Sequence, residues 1–207
     1  MSFKERPNQL NIGEYDYDLT NSEETFNRLI QNAPLISPID RSKAPFRDYL
    51  ENTREKWKYV KAEEVASYLD SKFFFDTGLI SYRDISKVFS LYDPSEEQRI
   101  KIPLDLVVNA KGFEDWKGRD SKKYTKNWYS IYGGGDSKSL DVIKHYAGLS
   151  TDLPPVTQML MFIQPDGKVF FDNCSGDSHR MAAAILRGSE FVETLEVEAY
   201  LLNKNYL

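Results

Sequence analysis

The 207-residue chain contains one cysteine, Cys174, so no disulfide can form within it, and a reducing compartment suits it. It also lacks any apolar run near the roughly 20 residues that a membrane-crossing helix needs. The opening MSFKERPNQL has no apolar core of a secretory signal. These absences predict a soluble, cytoplasmic protein without a membrane partner. A basic excess is missing too. The net charge of −5 argues against a surface built to neutralise nucleic-acid phosphates, which makes nucleic acid a less favoured partner. The local cluster KGRDSKKYTKNWY offers single strands basic and aromatic groups, although such a run is more often a solvated loop. The glycine-rich GGGDS at 133–137 lacks the GK[ST] ending of a P-loop and reads as a hinge leading to a cap at Asp136 or Ser137. Apolar material is not short: 41% hydrophobic and 14% aromatic residues suffice for a sizeable core and exclude disorder across the whole chain.

The texture changes along the chain. Residues 1 to about 50 are polar and punctuated by Pro7, Pro34, Pro38 and Pro45. A cap at TNSEE there opens a helix through Phe26, Leu29 and Ile30. KAEEVASYLDSKFFF places Val65, Leu69 and Phe73 at helical spacing, and SYRDISKVFSLY does the same with Ile85, Val88 and Phe89, so two further helices are predicted. After the loop DPSEEQR, the β-branched run IKIPLDLVV reads as a buried strand, and a domain start is placed at residue 100. A helix over SKSLDVIKHYAGL follows, with Leu140, Ile143 and Tyr146 or Ala147 on one face. Then come a strand in LPPVTQMLMFI, a turn at QPDG, a hairpin partner KVFFDN, a helix after GDSHR and a final strand LEVEAYLL. Residues 100–207 thus read β-α-β-β-α-β, an α+β domain preceded by a mainly helical extension over 1–99.

The helix after GDSHR begins with two cationic-type side chains, His179 and Arg180. Unpaired N–H groups and aligned peptide dipoles already make a helix N-terminus positive, so acidic residues are the stabilising ones there. Asp177 or Ser178 can cap this helix, MAAAIL propagates it, and Gly188 suits its C′ position. An external anion, above all a phosphate, would resolve the crowding of positive charge. The plainer alternative is that Arg180 pairs with Asp172 or Asp177 while His179 packs. His145, near a helix end, suits the dipole there and takes the structural reading. Cys174 reads as a small hydrophobe.

The IPLDLVV strand, the helix before LPPV, the hairpin and GDSHRMAAAILRG followed by a strand together resemble the ParB/sulfiredoxin superfamily over about residues 100–207. The resemblance implies a mixed sheet with flanking helices and a nucleotide, ATP or another, whose phosphates lie at the GDSHR helix start. Gly176, Ser178, His179 and Arg180 then fall at phosphate-contacting positions. Lys138, opening the preceding helix, falls near a lysine that reaches nucleotide phosphates in sulfiredoxins. Ser178 stands where sulfiredoxins place their catalytic cysteine, and a hydroxyl cannot supply that thiolate, which removes the redox branch. What the family leaves is a Mg²⁺-dependent phosphotransferase (kinase) or nucleotide hydrolase acting on a small-molecule acceptor or water. Asp172, Asp177 and Ser178 are the candidate catalytic groups, and Asp177 is the candidate metal ligand; Asp105 in the IPLD strand is a further carboxylate that either faces the site or ends a strand. A ParB-like nuclease and a non-catalytic nucleotide-gated binding module are the alternatives. The second is weakened because no helix-turn-helix follows the last strand in this sequence.

Overall fold

The computed structural model describes residues 8–12, 15–47, 62–75, 77–93, 99–110, 138–148, 152–173 and 177–207. Strands β1 (Gln9–Ile12) and β2 (Tyr15–Asp18) form a small antiparallel ladder ahead of helix α1 (Ser22–Asn32). Asn21 caps α1 by accepting from the Glu24 amide, and Glu23 and Glu24 in its first turn suit the dipole. Helix α2 spans Ala62–Lys72. Strands β3 (Ile85–Tyr92), β4 (Ile100–Pro103) and β5 (Val107–Ala110) follow, then helix α3 (Lys138–Ala147), the hairpin of β6 (Val156–Ile163) and β7 (Val169–Asn173), helix α4 (Ser178–Leu186) and β8 (Phe191–Leu202).

The fold is α+β, with a mixed six-stranded sheet in the order β3-β8-β6-β7-β5 and β4 also paired to β8. The β5/β7 and β6/β8 pairs are parallel and the others antiparallel. Alternation along β6 and β7 divides the core in two. Met161, Ile163, Val169 and Phe171 face the four described helices, whereas Phe162 and Phe170 face a second cluster with Val108, Leu202, Phe75 and Tyr206. Phe26 of α1 meets Phe171 edge-on at 6.4 Å, and Phe75 meets Phe170 at 5.7 Å, so both faces of β7 are covered. A strand buried on both faces needs the near-continuous apolar run that VFF supplies.

Two sequence expectations are corrected here. SYRDISKVFSLY is not a helix: Tyr82–Asp84 is a 3-10 turn and Ile85–Tyr92 is β3, paired to β8. A bulge between Lys87 and Phe89 breaks the two-residue period, so consecutive Val88 and Phe89 both turn inward and imitate helical spacing. Among the described residues the extension before residue 100 therefore mixes strands β1, β2 and β3 with helices α1 and α2, and β3 belongs to the main sheet. IKIPLDLVV is likewise not one strand: β4 stops at Pro103, which has no N–H to give, a 3-10 turn covers Leu104–Leu106, and β5 then pairs with β7 instead of β8. The α4 C-terminus follows the reading from sequence. Gly188, at φ +70°, takes the left-handed position after Arg187, while the Gly188 and Ser189 amides donate to the Ile185 and Ala184 carbonyls.

Candidate functional site

β5 and β7 run parallel and finish together, with Asn109 opposite Asp172 and Ala110 opposite Asn173. The chain returns at Asp177, the N-cap of α4, so the strand ends and the helix start share one edge of the domain. Open sheets often bind ligands beyond the carboxyl ends of parallel strands.

Asp177 does not cap α4 with its side chain. Its carbonyl takes the Arg180 and Met181 amides at 3.0 and 3.1 Å, as a helix start requires. Its carboxylate instead accepts from the Thr157 amide at 2.6 Å and faces the Arg180 guanidinium at 3.3 Å. The acidic group thus ties α4 to the start of β6 without capping the helix's own amides. Arg180 Nη1 donates to the Pro155 carbonyl at 2.7 Å, and the guanidinium lies 5.6 Å over the Tyr146 ring of α3. The ion-pair alternative from the sequence is therefore realised with Asp177. Arg180 nevertheless keeps 29% of its side chain exposed. His179 is half-buried, and burial lowers its imidazole below the usual value, which favours the neutral ring with a single N–H donor.

Beneath this edge, the Thr77 hydroxyl donates to the Asp172 carboxylate and accepts from Asn109 Nδ2 at 3.4 Å. Asp172 and Asn109 are both buried, and Asn109 Oδ1 has no hydrogen-bond partner among the described residues. A buried orphan acceptor is uncommon. Ser178 is buried at 3% exposure, a poor placement for a group meant to act on an external molecule. Lys138 is the first residue of α3, and α3 packs on α4. Gly176 and Cys174 lie outside the described residues.

Asp105 is engaged elsewhere. It accepts from the Ile39 amide and pairs with Arg41 at 2.8 Å, fastening the N-terminal segment. His145 sits in the last turn of α3 with its ring 5.7 Å from Tyr146. Among the described residues no three His, Cys, Asp or Glu side chains converge as a metal cage. Asn109 and Thr77 are not singled out by the sequence, and Tyr146 is read there only as part of the apolar face of its helix. Asn109 carried a signal, a polar residue closing a buried apolar strand, whereas nothing local marked Thr77.

A cleft of about 590 Å³ lies apart from this edge, between α1, β3 and β4, lined among others by Phe26, Tyr92, Arg99 and Lys101. It shares no residue with the α4 start. Comparison of the chain with protein-family models, curated proteins and solved structures finds no match.

Proposed function

We propose that the α4 start binds the phosphates of a nucleotide in the manner of ParB/sulfiredoxin proteins, and that the protein is a Mg²⁺-dependent phosphotransferase or nucleotide hydrolase. One observation carries the reading. Asp177, the residue that would ordinarily neutralise this helix end, spends its carboxylate on Thr157 and Arg180, while partly exposed Arg180 and His179 stand in the first turn. The positive end then meets an anion most favourably from outside.

In this reading Arg180 and His179 donate to phosphate oxygens, and Lys138, on the adjoining helix, is a third cation. Arg180 is already oriented by Pro155 and Tyr146, so little side-chain freedom is lost when a ligand arrives. Charge growing on transferred phosphoryl oxygens is what such fixed donors stabilise. The donor set fits Mg²⁺ brought by the nucleotide and touched by one carboxylate; it does not fit a protein-only cage. When bound, the ion would supply charge neutralisation between phosphates. Asp177, with both oxygens engaged, suits positioning more than ligation, which leaves Asp172 as the carboxylate for metal or base duty.

The test is thermal unfolding of the full chain with ATP, CTP and GTP, each with Mg²⁺, followed by phosphate-release and acceptor-labelling assays. A ligand that binds only the folded state at 100 times its Kd adds about 2.7 kcal/mol of stability. No stabilisation by any nucleotide would refute the site. Stabilisation without turnover would leave a nucleotide-gated binding module, and DNA cleavage lost in Arg180→Ala would favour the nuclease.

A further inference from the structure

Lys72, the last residue of α2, is buried at 2% exposure. Its amine donates to the Ser37 carbonyl at 2.7 Å, and the Ser37 hydroxyl donates back to the Lys72 carbonyl at 3.4 Å. From this reciprocal pair a strap, residues 37–46, runs across the domain. The Ser37 amide donates to the Asp105 carbonyl at 3.0 Å, and the Asp105 carboxylate holds the Ile39 amide and the Arg41 guanidinium, each at 2.8 Å. Arg41 Nε donates to the Ser189 carbonyl at 3.3 Å, and the Phe46 amide to the Leu186 carbonyl at 2.8 Å. The strap is thus fastened to α2, to the 3-10 turn and to the C-terminal end of α4.

Lys72 is the anchor whose charge can change near neutrality. Burial pulls its amine down to about 7, opposed by the Asp105 carboxylate and reinforced by the Arg41 guanidinium. Those two are the charged groups that act on it; α4, which packs on α2, adds none among the described residues. Tyr68, on the same helix, donates to the Asp40 carbonyl, and burial raises its phenol to about 12, so it stays neutral throughout.

We propose that Lys72 is a protonation-controlled latch: the neutral amine keeps the strap 37–46 seated, and uptake of a proton favours its release. The sign follows from linkage. A released Lys72 regains the ordinary lysine value near 10.4, so between about pH 7 and pH 10 the open form carries a proton that the closed form lacks. The opening constant then rises up to about tenfold for each unit of falling pH across that window, and it levels off below about pH 7. The latch stands without the nucleotide reading.

Hydrogen exchange of the full, ligand-free chain at pH 8.5 and pH 7.0, corrected for intrinsic rates, reads the latch directly. Protection of the Ser37, Ile39 and Phe46 amides should fall by about 15-fold between the two, with β6 and β7 much less affected. In Lys72→Met the same amides should lose their pH response. Should that variant fold poorly, the Lys72 side-chain NMR titration in the wild type decides alone: a midpoint near 7 matching the exchange profile supports the latch. A Lys72 midpoint near 10, strap protection indifferent to pH, or a Lys72→Met response equal to wild type would each overturn it. Because no nucleotide is present, these outcomes are independent of whether the α4 start binds one.

Discussion

Replacing Arg180 by alanine should injure the fold as well as any ligand site, and the two effects can be separated. The guanidinium makes three contacts: a charged hydrogen bond to the Pro155 carbonyl, a face-on contact with Tyr146 and an ion pair with Asp177. Hydrogen bonds involving a charged group contribute about 1.5–3 kcal/mol, a partly exposed cation over a ring about 0.5–1, and a surface-type pair about 0.2–1. These contributions are not additive within one side chain, and with 29% of it exposed, water can reach part of what is vacated. About 2 kcal/mol is the expected loss, or a fall in Tm of about 4–8 °C for a chain of this size. Urea unfolding with an unchanged m-value would report it, and a double-mutant cycle with Tyr146→Leu should return a coupling of about 0.5–1 kcal/mol. Arg180→Lys keeps the charge but not the planar fork, so it should recover part of the stability and little of the phosphate affinity. A stability within about 0.5 kcal/mol of wild type would refute the view that Arg180 ties α4 to α3 and β6. Reduced stability with undiminished nucleotide affinity, measured well below the melting range, would instead refute its role toward the ligand.

Four further outcomes are expected. Because burial holds His179 neutral, phosphate binding that charges the ring must take up a proton, so affinity should rise as pH falls from 8 to 6 and His179→Ala should remove that dependence in calorimetry across buffers of different ionisation enthalpy. Gly188→Ala forces a Cβ into a left-handed position 3.2 Å from the Ala44 Cβ and 3.3 Å from the Arg41 carbonyl; a loss of about 1–3 kcal/mol in chemical unfolding should result. Phe171→Ala opens a cavity beneath α1 and should lower stability by about 3–5 kcal/mol in the same assay. The Lys204 ammonium and Tyr206 hydroxyl pull Asp84 down to about 2, so its contribution is present above about pH 4 and is lost as pH falls towards 2; Asp84→Asn should flatten that part of the acid unfolding curve.

From residue 100 the alternation of elements was legible because each has a strong local signature. VFFDN after QPDG can scarcely be other than a hairpin strand, and MAAAIL before Gly188 can scarcely be other than a helix. β3 was not legible, since its bulge placed Val88 and Phe89 on one side and its pairing partner lies over a hundred residues away, beyond any sequence window. The break at Pro103 was printed in the sequence but yielded to the apolar run around it. At the site, the helix start and its cations were visible from residue type alone. The use of the Asp177 carboxylate was not, because it depends on where the Thr157 amide arrives in space, and Lys72 looked like any helix-terminal lysine until the strap covered it.

β8 pairs with β3, β4 and β6 together. The strand nearest the C-terminus is therefore the one around which three others are organised, and none of those ladders can close until it has been synthesised. Pairing of this kind has a large loop-closure entropy, which places folding in the slow, millisecond-to-second regime of non-local β topologies. Until β8 docks, β3 and β6 present unsatisfied edges, so the nascent chain passes through an interval of vulnerability to aggregation that the finished protein no longer shows.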